Sequence, residues 1–138
     1  MWSVWRPDAY AVLSDRRVRQ SLNRYFRVVE GKVPAKFLIA KRVPADYDGE
    51  DDLAGLWRLH DNLLGSYGRL EAEIDAGEER LEELDEPGKS LLDLKTAIAQ
   101  RVIRSCHLCT RRCGVNRLEG GGGRCGCGDK ITVSTIFA

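Results

Sequence analysis

Long apolar runs are missing from this 138-residue chain. No stretch approaches the ~18 residues of a membrane span, and the opening MWSVWRPDAY lacks the basic and then apolar layout of a secretory signal. These absences point to a cytoplasmic protein with no membrane partner. Charge of one sign is also missing: the net charge is +1, so a nucleic-acid or membrane surface would have to be recognised locally. Aromatic residues are only 7% of the chain, and Phe137 is the sole one after residue 88, which leaves little for stacking nucleic-acid bases. Histidine occurs twice, so a general base is scarce. The length excludes a complete (β/α)8 barrel, which needs roughly 200 residues or more. What remains, at 43% hydrophobic and 31% charged, fits one soluble unit with a modest core.

Charge is segregated along the chain: +4 over residues 1–50, −9 over 51–88 and +6 over 89–138. Three segments follow from this, an N-terminal helical and loop segment (1–50), a helical hairpin (51–104) and a Cys-rich metal-binding module (105–138). Their opposite charges can face one another, although most surface charge is simply solvated.

In the first segment Trp2, Trp5 and Tyr10 precede a helical pattern in which Ser14 is the expected N-cap and Val18, Leu22, Tyr25, Phe26 and Val29 share a face, ended by Gly31. Pro34 to Ala40 reads as a short extended or helical piece, and Pro44 with Asp46 to Asp52 as a loop. The clearest periodicity lies over 53–86, where Leu56, His60, Leu63, Tyr67, Leu70, Ile74, Gly77, Leu81 and Leu84 alternate spacings of four and three. This predicts one long helix capped by Asp51 and Asp52 and stopped at Pro87-Gly88. Ser90 then caps a second helix, Leu91 to Arg104, with a stripe of Leu91, Leu94, Ile98 and Val102. A short turn between two amphipathic helices predicts an antiparallel hairpin with the heptads as its internal seam. The sharper alternative is a homodimer through the heptad helix. The first helix outruns the second, so part of its seam needs cover from Trp2, Trp5 or the Phe26 helix. His60 is expected to be packed in the seam, and the acidic face from Glu71 to Glu86 to be solvated.

All five cysteines fall in the last 33 residues, as Cys106, Cys109, Cys113, Cys125 and Cys127. In a reducing compartment such clustering argues for metal ligation before disulfides. Seven of the fifteen residues from Gly114 to Gly128 are glycine, which suits the tight turns of a ligand loop. The run Gly120 to Gly123 can equally be a linker, and no Lys-Ser or Lys-Thr follows it to make a phosphate loop. Cys106, Cys109 and Cys113 are three candidate ligands, with Cys125 the fourth and Cys127 its alternate. Four thiolates suit either zinc or an iron-sulfur cluster, and spacing does not choose between them. Arg111, Arg112, Arg117 and Arg124 can offset thiolate charge or face an anion. No catalytic residue is expected, since no histidine is placed as base to a cysteine nucleophile.

The stretches Lys89-Ser90-Leu91-Leu92-Asp93-Leu94-Lys95, Cys106-His107-Leu108-Cys109-Thr110-Arg111-Arg112-Cys113-Gly114-Val115-Asn116-Arg117 and Gly123-Arg124-Cys125-Gly126 resemble the region upstream of the catalytic core in radical S-adenosylmethionine (SAM) proteins related to pyruvate formate-lyase activating enzymes. The resemblance covers roughly residues 89 to 138, with Pro34-Ala35-Lys36-Phe37 a weaker match. It implies a following barrel whose Cys-x3-Cys-x2-Cys loop holds the four-iron four-sulfur cluster that cleaves S-adenosylmethionine. Here Asn116 stands where the third cysteine of that loop would fall, and the family's glycine-rich turn before the fourth cysteine is altered to Glu119-Gly120-Gly121-Gly122-Gly123.

The expectation is therefore a mainly α protein: a long antiparallel helical hairpin, a Cys/Gly-rich metal-binding knot and a short C-terminal strand over Lys130 to Phe137. Its function would be that of a metal or iron-sulfur-binding front module of a radical SAM protein, not catalytic alone and partnered by a barrel domain or subunit. S-adenosylmethionine would bind only to a complete protein. The alternative is a small zinc-binding adaptor contacting nucleic acid or a protein, with nucleic acid the less favoured partner.

Overall fold

The computed structural model describes residues 7–130. Trp2, Trp5 and nearly all of the expected C-terminal strand lie outside the described residues. Among the described residues six α-helices follow in order: α1 (Pro7–Ser14), α2 (Arg16–Ser21), α3 (Asn23–Val29), α4 (Lys36–Ala40), α5 (Leu53–Ala76) and α6 (Leu91–Arg104). No β-strand occurs among them, and an isolated antiparallel bridge joins Pro44 to Ser90.

The first three helices are one interrupted run. Ser14 is the last residue of α1 rather than a cap, and Asp15 caps α2 instead, its carboxylate accepting from the N–H of Arg17 at 2.7 Å and of Val18 at 3.2 Å. Asp52 caps α5 by accepting from Gly55 N–H at 2.6 Å. Ser90 caps α6 through a reciprocal box with Asp93, whose carboxylate lies 2.9 Å from the Ser90 backbone N.

The core lies where α4, α5 and α6 meet. Ala40, Val43, Ala45, Leu56, Leu91, Leu94, Ile98 and Val102 form one buried cluster. The four α6 residues recur at spacings of three and four, so one face of that helix is fully used. Backbone bonds from Ala45 N–H to Lys89 O (3.0 Å) and from Leu91 N–H to Val43 O (2.8 Å) pin the loop after α4 to the start of α6. α5 and α6 run antiparallel: Trp57, early in α5, lines a cavity with Val102, late in α6, whereas Leu59 and Leu63 line another with Lys89, just before α6.

The long helix is shorter than the heptads predict. α5 ends at Ala76, because Gly77 adopts the left-handed conformation (φ 78°) and closes the helix through its N–H to Glu73 and Ile74 carbonyls. Leu81 opens a 3-10 turn, Leu81–Glu83, that Leu84 follows in extended conformation, and the connection to α6 runs from 77 to 90 rather than through a short turn. Within α5 the seam packs inward: Leu56, His60 and Ile74 are buried, and Leu63, Tyr67 and Leu70 pack against the core cluster.

The far end of α5 is gripped by the N-terminal segment. Arg24 lies 2.6 Å from Glu71 and 3.0 Å from Asp75, Arg27 reaches Asp75, and Lys36 Nζ is 3.0 Å from Glu71. Glu71 and Asp75 are thus part of an ion-pair network and not a freely solvated face. Arg42 pairs with Glu86 in the same sense. No helix among the described residues is long and apolar enough to cross a membrane.

Candidate functional site

The chain leaves α6 at Ser105 and folds a loop back on the helix end. Cys106 N–H donates to Val115 O at 3.1 Å and Gly114 N–H to Cys106 O at 2.9 Å, so residues 106 and 114–115 close the loop from both sides. Arg117 N–H donates to Ile103 O at 3.0 Å and satisfies a carbonyl in the last turn of α6. Inside the loop Arg112 N–H bonds Cys109 O at 3.0 Å, with Arg112 (φ 40°) and Gly114 (φ 67°) left-handed. Cys109 therefore sits exposed on a turn, whereas Cys106 is buried and Cys113 half-buried.

A second turn brings in the remaining cysteines. Gly121 N–H donates to Asn116 O at 3.1 Å, and Gly126 N–H to Gly123 O at 3.2 Å. A Cβ at Gly121 would stand 2.5 Å from Asn116 O, and one at Gly123 would stand 3.2 Å from Cys113 Sγ. The glycine run is thus folded against the first cysteine loop; it is not a free linker.

At the centre stands Arg117, 5% exposed. Its Nη2 lies 3.3 Å from Cys125 Sγ and 3.8 Å from Cys113 Sγ, and its Nη1 donates to Cys127 O. The same guanidinium also faces the Cys106 thiol. Arg111, Arg112 and Arg124 are exposed and do not share this role.

The electrostatics follow. The Leu108 backbone N–H and then Arg117 hold the Cys106 thiol below the ordinary thiol range, against the effect of burial. The Cys127 backbone N–H, then Arg117, bring Cys125 down to about 7. Cys127, which donates to Cys125 and faces its charge, is pushed up. Arg117 is held more firmly protonated by Cys106 and Cys125. Cys106 and Cys125 thus favour the thiolate form beside one buried cation.

All five cysteines are free. The structure brings Cys106, Cys113 and Cys125 to Arg117, places Cys127 beside them through its carbonyl, and leaves Cys109 on the exposed turn. Among the described residues no three Cys, His, Asp or Glu side chains are already gathered around a single point that would hold a metal. Thiol sulfurs are the donor type that a soft metal takes, and Arg117 Nε, buried without a hydrogen-bond partner among the described residues, still lacks an acceptor. The space beside Cys113 also exists only because Gly123 has no Cβ.

Neither histidine serves a cysteine. His107 Nδ1 lies 2.9 Å from Ser105 O, and His60 is packed in the α5–α6 seam as expected. Both line one apolar cavity of about 360 Å³ with Trp57, Lys95, Val102 and Leu108. Sequence reasoning missed this cavity, since His60 and His107 meet only through the helix pair. The burial of Cys106 did have a signal: it extends the α6 stripe by four residues beyond Val102.

No protein-family model matches the chain, and no solved structure matches it. A similar protein is an uncharacterized protein of Methanocaldococcus jannaschii, 34% identical over 96 residues. The match takes in 70% of this chain and 26% of that protein, so the matched part of this chain spans about a quarter of the relative's length.

Proposed function

We propose that this chain is the metal or iron-sulfur-binding front module of a radical SAM protein of the pyruvate formate-lyase activating type, and is not catalytic by itself. The observation that carries this reading is the convergence of Cys106, Cys113 and Cys125, from two separate turns, on buried Arg117. Cys106, Cys109, Cys113 and Cys125 are the ligand set and Cys127 the alternate. Cys109, three residues from Cys106 on an exposed turn, completes a four-thiolate shell when a metal binds. Bound zinc would supply folding free energy, and a bound iron-sulfur cluster would supply one-electron transfer.

The family resemblance of residues 89–126 supports the radical SAM assignment, and a relative about four times as long as the matched segment supports a module reading. The helix pair then docks the barrel or a partner subunit, and S-adenosylmethionine binds only in the complete protein. In this reading the thiols, ordered Cys-x2-Cys-x3-Cys from Cys106 to Cys113, serve a site other than a Cys-x3-Cys-x2-Cys loop.

The test is metal content and visible absorption of protein purified without oxygen, beside Cys106→Ala. Iron with sulfide and a broad visible band, lost in the variant, is the expected result for a cluster. One equivalent of zinc in a colourless protein makes the site structural. No metal in either preparation sinks the reading.

A second reading, a zinc-binding adaptor, draws on the exposed Arg111, Arg112 and Arg124 in the +6 segment. It expects nucleic-acid affinity that falls steeply with salt, and no binding at low salt removes it.

A further inference from the structure

We infer that Arg117 is the positioning residue of the thiolate site: it holds Cys113 and Cys125 together before metal arrives and stays hydrogen-bonded to their sulfurs afterwards. This rests on the metal-binding reading above and says which residue makes that site work.

Burial is the first argument. Four arginines lie among the cysteines, and three of them are exposed; only Arg117 is buried. A buried guanidinium carries a large desolvation cost that anionic partners must offset. No carboxylate pairs with Arg117 among the described residues, and its partners are sulfurs and one carbonyl. The groups it faces are therefore sulfurs, and metal-bound thiolates would supply the anionic charge that a buried guanidinium calls for. A dication in four thiolates keeps a net charge of −2, so the need for a counter-cation persists in the loaded site.

Connectivity is the second. Arg117 is fixed by contacts that do not involve the sulfurs, its N–H to Ile103 O and its Nη1 to Cys127 O. These set the guanidinium beside the thiols from one side. A thiolate sulfur has lone pairs enough to bind a metal and accept an N–H at once, so Arg117 need not leave when the metal enters. Donors of this kind orient ligands and tune a metal without touching it. Gly123 belongs to the same device, because a Cβ there would stand 3.0 Å from Arg117 Nη2 and 3.2 Å from Cys113 Sγ.

The experiment uses the full chain, purified without oxygen and metal-free, titrated with Co(II) against a competing chelator. Wild type is compared with Arg117→Met and Arg117→Lys. Thiolate-to-cobalt absorption reports the ligands, and far-ultraviolet circular dichroism reports the fold. The expected result for Arg117→Met is unchanged helicity and the same thiolate bands with affinity lowered about 10- to 100-fold. Arg117→Lys keeps the charge but lacks the planar fork, and is expected to lose affinity too. Should Arg117→Met fail to fold, Arg117→Lys carries the test. Binding as tight as wild type, or tighter, in Arg117→Met or Arg117→Lys overturns the inference. Failure of wild type itself to bind cobalt through thiolates overturns the metal reading, and the inference with it.

Discussion

Lys95 Nζ lies 2.6 Å from Nε2 of His60, across the interface of α5 and α6. A charged lysine can only donate, so Nε2 accepts and the ring proton sits on Nδ1, which lies 3.0 Å from the Asp61 carboxylate. The edge of Trp57 packs on the same ring, with centroids 5.2 Å apart. A histidine at a seam position is thereby satisfied on both nitrogens.

Lys95→Met leaves Nε2 of a buried ring without a donor. Stability to urea is expected to fall by about 1 kcal/mol. His60→Leu with Lys95→Met, which removes both polar partners, is expected to recover part of that loss. A larger loss in the double variant than in Lys95→Met would argue against the pair.

Gly77→Ala is expected to cost about 1–2 kcal/mol, because φ is 78° and a Cβ there meets nothing that could offset the strain. The same break predicts unequal costs along the apparent heptads. Leu94→Ala, fully buried in α6, is expected to lose about 2–5 kcal/mol, and half-buried Leu84→Ala under about 1 kcal/mol. Equal losses would mean that Leu84 is packed as deeply as Leu94.

Glu71 gives the pH dependence. Burial raises its carboxyl, but Lys36 and then Arg24 outweigh this and hold it below the ordinary carboxylate range. A depressed folded value contributes stability that is present above the unfolded value and lost as pH falls through the folded one. Glu71→Gln is therefore expected to cost about 1 kcal/mol at pH 7 and progressively less below about pH 4. A penalty that stays constant down to about pH 2 would contradict the pairing.

Ser90→Ala removes the hydroxyl that accepts from Asp93 N–H and donates to its carboxylate at 2.6 Å. Thermal unfolding is expected to report a loss of about 1 kcal/mol, with α6 fraying first in hydrogen exchange. Thr at this position is expected to restore most of it.

How much of this was legible depends on the range of the interaction. The stripe Leu91, Leu94, Ile98 and Val102 and the caps Asp52 and Ser90 are local patterns, and the structure has them as read; α5 and α6 also pack together, but through a connection over 77–90 rather than a short turn. The charge segregation also pointed correctly to contact between the basic N-terminal segment and the acidic one. It could not say that Arg24, Arg27 and Lys36 meet Glu71 and Asp75, because that choice depends on where α3 and α4 come to rest. The heptad count overruns the helix end at Gly77 because it treats glycine as another seam residue. A residue without a Cβ adds nothing to a seam and reaches the left-handed conformation at little cost.

By itself, the sequence determined the helical class, the α6 stripe and the grouping of five thiols in one glycine-rich segment, since each follows from residue type at short spacing. Tertiary structure alone decided which of four neighbouring arginines is buried, and that Cys106, Cys113 and Cys125 face it together. It also decided that His60 and His107, 47 residues apart in sequence, line one cavity. The reason is physical: spacing fixes what lies along one turn or one face, while burial and charge pairing are set by the elements that close over it.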